Sequence, residues 1–516
     1  MASSLDLLIS GNILTLDDQR PRVNALGVKE GRIAAWGEPE AILKEWGRPQ
    51  REMDLAGHTI LPGLIDTHLH PCPVGTVQLN VDLTAAASLA DVARGIKTKI
   101  RDTPPGKPVL AFNFNIDTVR EKRLPTLAEL DEIAPDHPVL VMVYDLHSAM
   151  LNTAMLKEVK LPAGAQGLVK DGNGRPSGAV EDPAIAGVQR QFLPGSGSEI
   201  MAAVQAGLQN AAEQGLTTAH VKEPYAHMDV ILEHEDELPV KIVPLVIVKQ
   251  QDMDDLPHIL ADPRLAGRAT IAFMADGAPD SKTAAFFEPY PDDPQNYGML
   301  YHATEELEEQ VARCHRAGFQ VSIHTCGTRA TEQVLTIYEN ILAARPRPDH
   351  RHRIEHFEMP LGNQIKRAVA AGIHLAMQPM FLYLSGTETY ANIRSLLGRE
   401  RVERWKPFRT ILDAGGMVAG GSDAPVTPIG PLKGIAACVN HPNPAQRITR
   451  YEALQMFTRN GACFGFMEQK TGTLSPGKAA DLTVLRASPY QVPRSHLGKI
   501  AIAMTVVDGE VVYSGK

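Results

Sequence analysis

The sequence predicts an α/β fold: a (β/α)8 TIM barrel with a large insertion after its first strand, plus a small β domain built from both chain termini. Three observations carry this. Eight short apolar segments in the middle of the chain alternate with helical patterns, the rhythm of parallel strands joined by crossover helices. Both ends of the chain are instead rich in short alternating strands and turns. Closing a ring of strands returns the middle to its starting point, so the two ends can share one small domain.

The N-terminal block reads as the strands DLLISG, ILTLD and ALGVKEGRIAAWG, separated by turn residues. The C-terminal block, GTLSPGKAADLTVLRAS and IAIAMTVVDGEVVYSGK, has the same texture, with a hairpin turn at Asp508-Gly509. The halves of the β domain fall at 1–58 and 470–516, and the barrel at 59–469. Its candidate strands are TILPGLID, LTTAHV, VKIVPLVIV, ATIAFMAD, GFQVSIHT, HRIEHF, GIHLAMQP and GGMVAGGSD. Helical patterns follow in ELEEQVARCHRAG, RATEQVLTIYENILAA, LGNQIKRAVAAG and YEALQMFTRNGACFG. Residues 72–210 are too long for one crossover. They form the insertion and are expected to fold over the barrel mouth, where loops line the active site. An open doubly wound sheet would call for a glycine-rich phosphate turn after its first strand, and none is present.

Composition narrows the function. The chain has 516 residues, 44% of them hydrophobic, enough for a large core. Its net charge of -9 weighs against nucleic acid. The basic run RPRPDHRHR before the sixth strand reads as an exposed loop. Five cysteines, Cys72, Cys314, Cys326, Cys438 and Cys463, are far apart and read as reduced thiols of a cytoplasmic enzyme. The N-terminal stretch has no basic region followed by a long apolar run. No apolar stretch reaches about 18 residues, so neither signal peptide nor membrane span is expected.

The chemistry begins at LPGLIDTHLHP, which ends the first strand with His68 and His70. Residues i and i+2 of a strand share a face, so both imidazoles can point to one centre. His324 ends the fifth strand, His356 the sixth and Asp423 the eighth. Parallel strands put all five at the same rim. Each has an ordinary reading alone: a chance His-x-His, a core histidine bonded to a carbonyl, an aspartate capping a turn. Together they suit a divalent ion, with zinc the expected one. Such an ion brings a water's pKa towards neutrality and polarises a carbonyl. Asp423 and His356 are the candidate catalytic residues, Asp423 taking the proton of the attacking water and passing it to the leaving group.

On these residues the sequence resembles the amidohydrolase superfamily, and more closely its YtcJ-like branch, which includes formamide deformylases. The resemblance runs through DLAGHTILPGLIDTHLH, LTTAH, FMADGAPDSKTAAF, VSIHTCGTRA, RHRIEHFEMP, MQP and GGSDAP to GTLSPGKAADLTVL. It implies that His68, His70, His324, His356 and Asp423 form the metal site. The branch often has a lysine four residues before the Asp-Gly of strand four, which bridges two metals when carboxylated. Here Asp276-Gly277 is preceded at that distance by Ala272. One ion is therefore expected. Two ions require another bridge, for which Lys222 and Glu223, just past strand two, are the nearest candidates. Thr328 stands where the branch has an acid after His324. Cys326, on the face of His324, is a further thiolate candidate.

For substrate binding the loop after strand four offers Asp276, Asp280, Ser281 and Lys282, with Lys282 where the branch has arginine. The insertion offers Tyr144, His147 and Asn152. Phe286, Phe287, Tyr290, Phe381 and Tyr383 are candidates for an apolar wall. The expected function is hydrolysis of a small non-peptide amide C–N bond. Alternatives are a deaminase of an amino-substituted heterocycle and, given Ala272, a non-catalytic metal-binding or regulatory protein. The expected partner is a small-molecule amide, without nucleic acid or membrane. The resemblance implies a homodimer.

Overall fold

The computed structural model describes residues 4–143, 148–160, 167–181, 184–192, 194–384 and 393–515. The chain forms two units, Met1–His70 with Leu208–Lys516, and Pro71–Gly207.

In the first unit eight parallel strands pair in chain order: β1 Leu64–Leu69, β2 Leu216–Pro224, β3 Lys241–Ile247, β4 Thr270–Met274, β5 Gln320–Thr325, β6 Arg353–His356, β7 His374–Met377 and β8 Val418–Gly420. Every residue of β1, β5 and β6 is buried. Such strands are covered on both faces. The ring closes through backbone at the β1–β8 seam. The Asp423 N–H donates to the His68 carbonyl at 2.8 Å, and the His70 N–H to that of Ala424 at 3.0 Å.

The first barrel strand is shorter than TILPGLID. The strand Arg51–Pro62 belongs to another sheet, and β1 starts at Leu64. Gly63 is the break: a Cβ there would lie 1.9 Å from Thr217 Oγ1, so the chain passes only without a side chain.

That other sheet joins the two chain ends. Its order is Glu510–Ser514, Ile502–Val507, Leu482–Leu485, Arg51–Pro62, Leu7–Leu14, Arg22–Lys29, Arg32–Gly37. The C-terminal and N-terminal strands meet antiparallel where Val484 faces Ile60. Ile9, Ile13, Ile60, Leu482, Val484 and Val506 lie in one buried cluster. DLLISG and ILTLD are one strand. Gly11-Asn12, read as a turn, falls where the pairing register shifts between Ser10 and Ile13, so the extra residues are taken up as a bulge. The hairpin at Asp508-Gly509 has φ of 48° and 81° there, the left-handed pair that a two-residue turn needs.

The second unit carries a six-stranded sheet in the order Leu168–Lys170, Pro176–Glu181, Ser148–Leu151, Val139–Val143, Val109–Phe114, Val81–Asp82. Asn152 is committed within it. Its Oδ1 accepts from the Val139 and Met155 N–H groups, and its Nδ2 donates to the Ala134 and His137 carbonyls. It pins a strand to a helix start and offers nothing to a substrate.

Among the described residues none of the five cysteines forms a disulfide, and no helix is long and apolar enough to cross a membrane.

One buried histidine of the first unit gives a pH prediction. His441 is fully buried, and its Nδ1 accepts the Asn443 N–H at 3.0 Å. Burial lowers its pKa from 6.5 to about 4, against several backbone bonds that raise it. Below pH 6.5 the unfolded chain binds a proton that the folded chain refuses, so stability falls as pH drops from 6.5 to 4. The contribution is at most about 1.4 kcal/mol per pH unit. Urea unfolding across this range is expected to show a shallower slope for His441→Asn, which keeps an acceptor. An unchanged slope would contradict it.

Candidate metal centre

His68 and His70 leave the end of β1, and Asp423 follows β8. His68 Nδ1 lies 2.7 Å from Glu355 Oε2, so its N–H donates to that carboxylate and Nε2 is turned inward. His68 Nε2 is 3.1 Å from Asp423 Oδ1, and His70 Nε2 is 3.4 Å from the same oxygen. One ligand atom from each of the three lies within 4.8 Å of the others.

The remaining two predicted ligands flank this triad. The His356 ring centroid is 5.1 Å from that of His68 and 4.3 Å from that of His324. His324 turns its Nε2 towards the Gly277 carbonyl at 3.2 Å, with Cys326 Sγ at 3.5 Å. His356, Phe357 and Asp423 have φ of 69°, 45° and 62°. That left-handed backbone costs roughly 1–2 kcal/mol per residue, and here it sits at the rim that bears the site.

Electrostatics set the protonation states. Burial, then Lys222, brings His324 down to about 4. Burial and the neighbouring His324 push His356 well below its ordinary value. Both rings are therefore neutral, with a lone pair available. Burial raises the Asp423 carboxyl, but the charge of His68 and hydrogen bonds from His68 and His70 outweigh it and hold the group well below the usual carboxylate range. Burial and Lys222 lower His68, while Asp423 and Glu355 more than reverse this.

Sequence reasoning missed the residues behind the triad. Glu355 also accepts from Ser322 Oγ at 2.6 Å and pairs with Arg353 Nη2 at 2.7 Å. Arg353 is fully buried, and it contacts His220 Nδ1 at 2.9 Å and the Thr67 carbonyl at 2.8 Å. The signal was present: Arg353 and Glu355 are two apart in a strand, one face carrying both charges. Asp66 accepts the His68 N–H at 2.9 Å and the Ser422 N–H at 3.0 Å, clasping β1 to the end of β8. Gly421 leaves room for this, since a Cβ there would lie 2.8 Å from the His68 nitrogen.

The two alternative bridging candidates separate. Lys222 is buried, with Nζ 3.3 Å from His68 Nε2. Burial lowers its pKa, against Glu355 and Asp423. Glu223, the next residue, meets His227 Nδ1 at 3.0 Å in the following helix, Tyr225–Glu233. Adjacent strand residues face opposite ways, so Glu223 is removed from the centre.

Several substrate candidates have other tasks. Asp276 is fully buried and accepts the N–H groups of Ala285, Cys326 and Gly327, so it fixes the loop after β4 to the end of β5. Lys282 pairs with Asp292 of its own loop at 2.6 Å. The ammonium of Lys406 lies 5.2 Å from the Phe381 ring centroid, giving that ring a cationic neighbour. The apolar wall divides: Phe286 and Tyr290 are buried against each other edge to face, whereas Phe287 and Tyr383 are exposed. Tyr144 and His147 lie outside the described residues.

The parallel barrel gathers two histidines of β1 and the aspartate after β8 at one rim as a candidate metal site. The model of the amidohydrolase family matches residues 51–513, so the chain belongs to that family, and it is a hydrolase acting on carbon–nitrogen bonds. It is 29% identical over 529 residues to "Putative amidohydrolase YtcJ" of Bacillus subtilis (strain 168), covering 98% of each chain. It is 26% identical to the N-substituted formamide deformylase of Arthrobacter pascens, again over 98% of each. In fold it is similar to the crystal structure of an uncharacterized metal-dependent hydrolase from Pyrococcus horikoshii OT3. That match has a TM-score of 0.79 and 22% identity, and covers 95% of this chain and 99% of the other.

Proposed function

We propose that the protein hydrolyses a small non-peptide amide C–N bond at a metal centre on His68, His70 and Asp423, flanked by His324 and His356. The observation behind this reading is the convergence of His68 Nε2, His70 Nε2 and Asp423 Oδ1 at one point. Two imidazole nitrogens and a carboxylate oxygen form a donor set that fits one divalent ion, zinc first by ligand type. When bound, such an ion activates water and polarises a carbonyl.

The chain's own residues do the rest. Glu355 fixes the His68 tautomer by accepting its Nδ1–H, which keeps Nε2 as a donor atom. Asp423, ionised, takes a proton from the attacking water at its carboxylate and returns it to the leaving nitrogen. His356, neutral, stands beside His68 as a second hydrogen-bonding group for the reacting centre. N-substituted formamides are the first substrate class to try, since a relative carries that activity in its name. We assign the protein to the cytoplasm on its undisulfided cysteines. A homodimer is the assembly we expect.

The test is metal content and turnover of protein prepared without chelator. Wild type is expected to hold about one zinc per chain and to hydrolyse members of an amide panel. His68→Ala should lose the ion and at least about 100-fold in kcat/KM. Zinc-free wild type would defeat the proposal. Turnover only of amino-substituted heterocycles would assign deamination instead.

A further inference from the structure

We infer that Arg401 and Arg404 form a site for a small oxyanion, a phosphate or carboxylate group, separate from the metal centre. A cavity of about 220 Å3 lies between the loop after β4 and the helix Arg399–Glu403, which stands between β7 and β8. None of His68, His70, His324, His356 and Asp423 lines it. Three arginines do, Arg399, Arg401 and Arg404, against two acids, Glu288 and Glu400.

Arg401 is only 6% exposed. Its Nη2 donates to the carbonyls of Glu288 at 2.7 Å and Pro289 at 2.8 Å, and its guanidinium carbon lies 4.3 Å from the Phe286 ring centroid. These contacts fix the group in place, and none of them brings a full negative charge. Its Nη1 is buried and has no acceptor among the described residues, and the same holds for Nε of Arg404. The carboxylate of Glu288 stands 3.7 Å from Arg401, beyond a hydrogen bond, on a side chain that is 62% exposed. Water screens such a pair. Arg399 is engaged with Glu403 at 2.7 Å, and Glu400 is exposed. A buried cation without a close partner is costly, and buried N–H groups without acceptors add to the cost. An apolar guest would relieve neither. An oxyanion relieves both, because it brings the charge and several lone pairs together. The cavity is smaller than the roughly 300–1,000 Å3 that drug-sized ligands occupy, which suits a single anionic group. Asp276 ties the same loop to the end of β5 through the N–H groups of Ala285, Cys326 and Gly327, so an anion on Arg401 braces a segment that reaches the rim.

Calorimetric titration of the full zinc-loaded chain with inorganic phosphate, and separately with acetate, tests the site. His68→Ala is expected to bind the anion as tightly as wild type does. Loss of binding in that variant would place the anion on the metal and overturn the inference. Arg401→Gln should weaken binding by at least about 10-fold, the worth of one charge-assisted hydrogen bond. Glu288→Gln, a change at an exposed side chain, should tighten it by about 2- to 5-fold, because a competing charge is removed. Phosphate should raise the melting temperature of wild type and leave that of Arg401→Gln unmoved. If Arg401→Gln does not fold, Arg404→Gln, expected to weaken binding, and Glu288→Gln decide the matter. Phosphate bound more tightly than acetate assigns the site to a phosphate group, and the reverse order assigns it to a carboxylate. No binding of either anion by wild type, or affinity unchanged in the glutamate and arginine variants, overturns the proposal. So does binding that about 0.15 M sodium chloride abolishes, which would mark diffuse surface attraction.

Discussion

Asp423→Asn is expected to lower kcat by about 10²- to 10⁴-fold, the range a positioned proton-transfer group supplies. The side chain lies within hydrogen-bond reach of His68 and His70, and its carboxyl is held well below the usual carboxylate range. Asparagine keeps an oxygen for the ion but cannot accept the proton of water. The neutral amide is a weaker donor than a carboxylate, so turnover is compared at saturating zinc, where it should still collapse. Turnover close to wild type in the zinc-loaded variant would show that the proton goes elsewhere.

Arg353→Leu should lower stability by roughly 3–5 kcal/mol, because it leaves a buried carboxylate without its cation. Glu355 is kept ionised in a buried strand against the cost of burial, with Arg353 the largest opposing influence and His68 next. Arg353 also ties Thr67 and His220 to β6. Adding Glu355→Gln to the leucine variant is expected to recover part of the loss, since the uncompensated charge goes with it. The double-mutant cycle then isolates the pair from the packing of the long arginine side chain. Denaturant unfolding measures both steps. A loss below 1 kcal/mol in the single variant would mean that His68 alone neutralises Glu355.

The barrel was legible because its strands are buried on both faces, which leaves apolar runs that end in polar residues at one rim. The meeting of His68, His70 and Asp423 at one rim was readable for the same reason: a buried strand has no packing need for an imidazole at its end. What escaped was anything decided by which side chains meet in the folded chain. Gly63 ends one strand because Thr217 stands opposite it, and the residues around it show no local sign of that. Lys282 looked like a substrate anchor until Asp292 came within reach on the same loop. Lys222 and Glu223 were equivalent as letters. The pleat of β2 alone sends one to His68 and the other to His227. Arg353 and Glu355 broke the apolar pattern of β6, which is tolerated because they pair with each other and with His68, Ser322, His220 and the Thr67 carbonyl.

The clasp of Asp66 on Ser422 joins residues 356 positions apart in the chain. During synthesis the two halves of the centre are therefore born at different times, separated by roughly 20–70 s at ordinary elongation rates. The strand Leu482–Leu485, which pairs with Arg51–Pro62, emerges later still. A nascent chain thus carries exposed imidazoles long before it has the carboxylate that completes their cage. The three side chains can hold an ion together only once Asp423 has emerged, and stalled ribosomes can measure where in synthesis that falls.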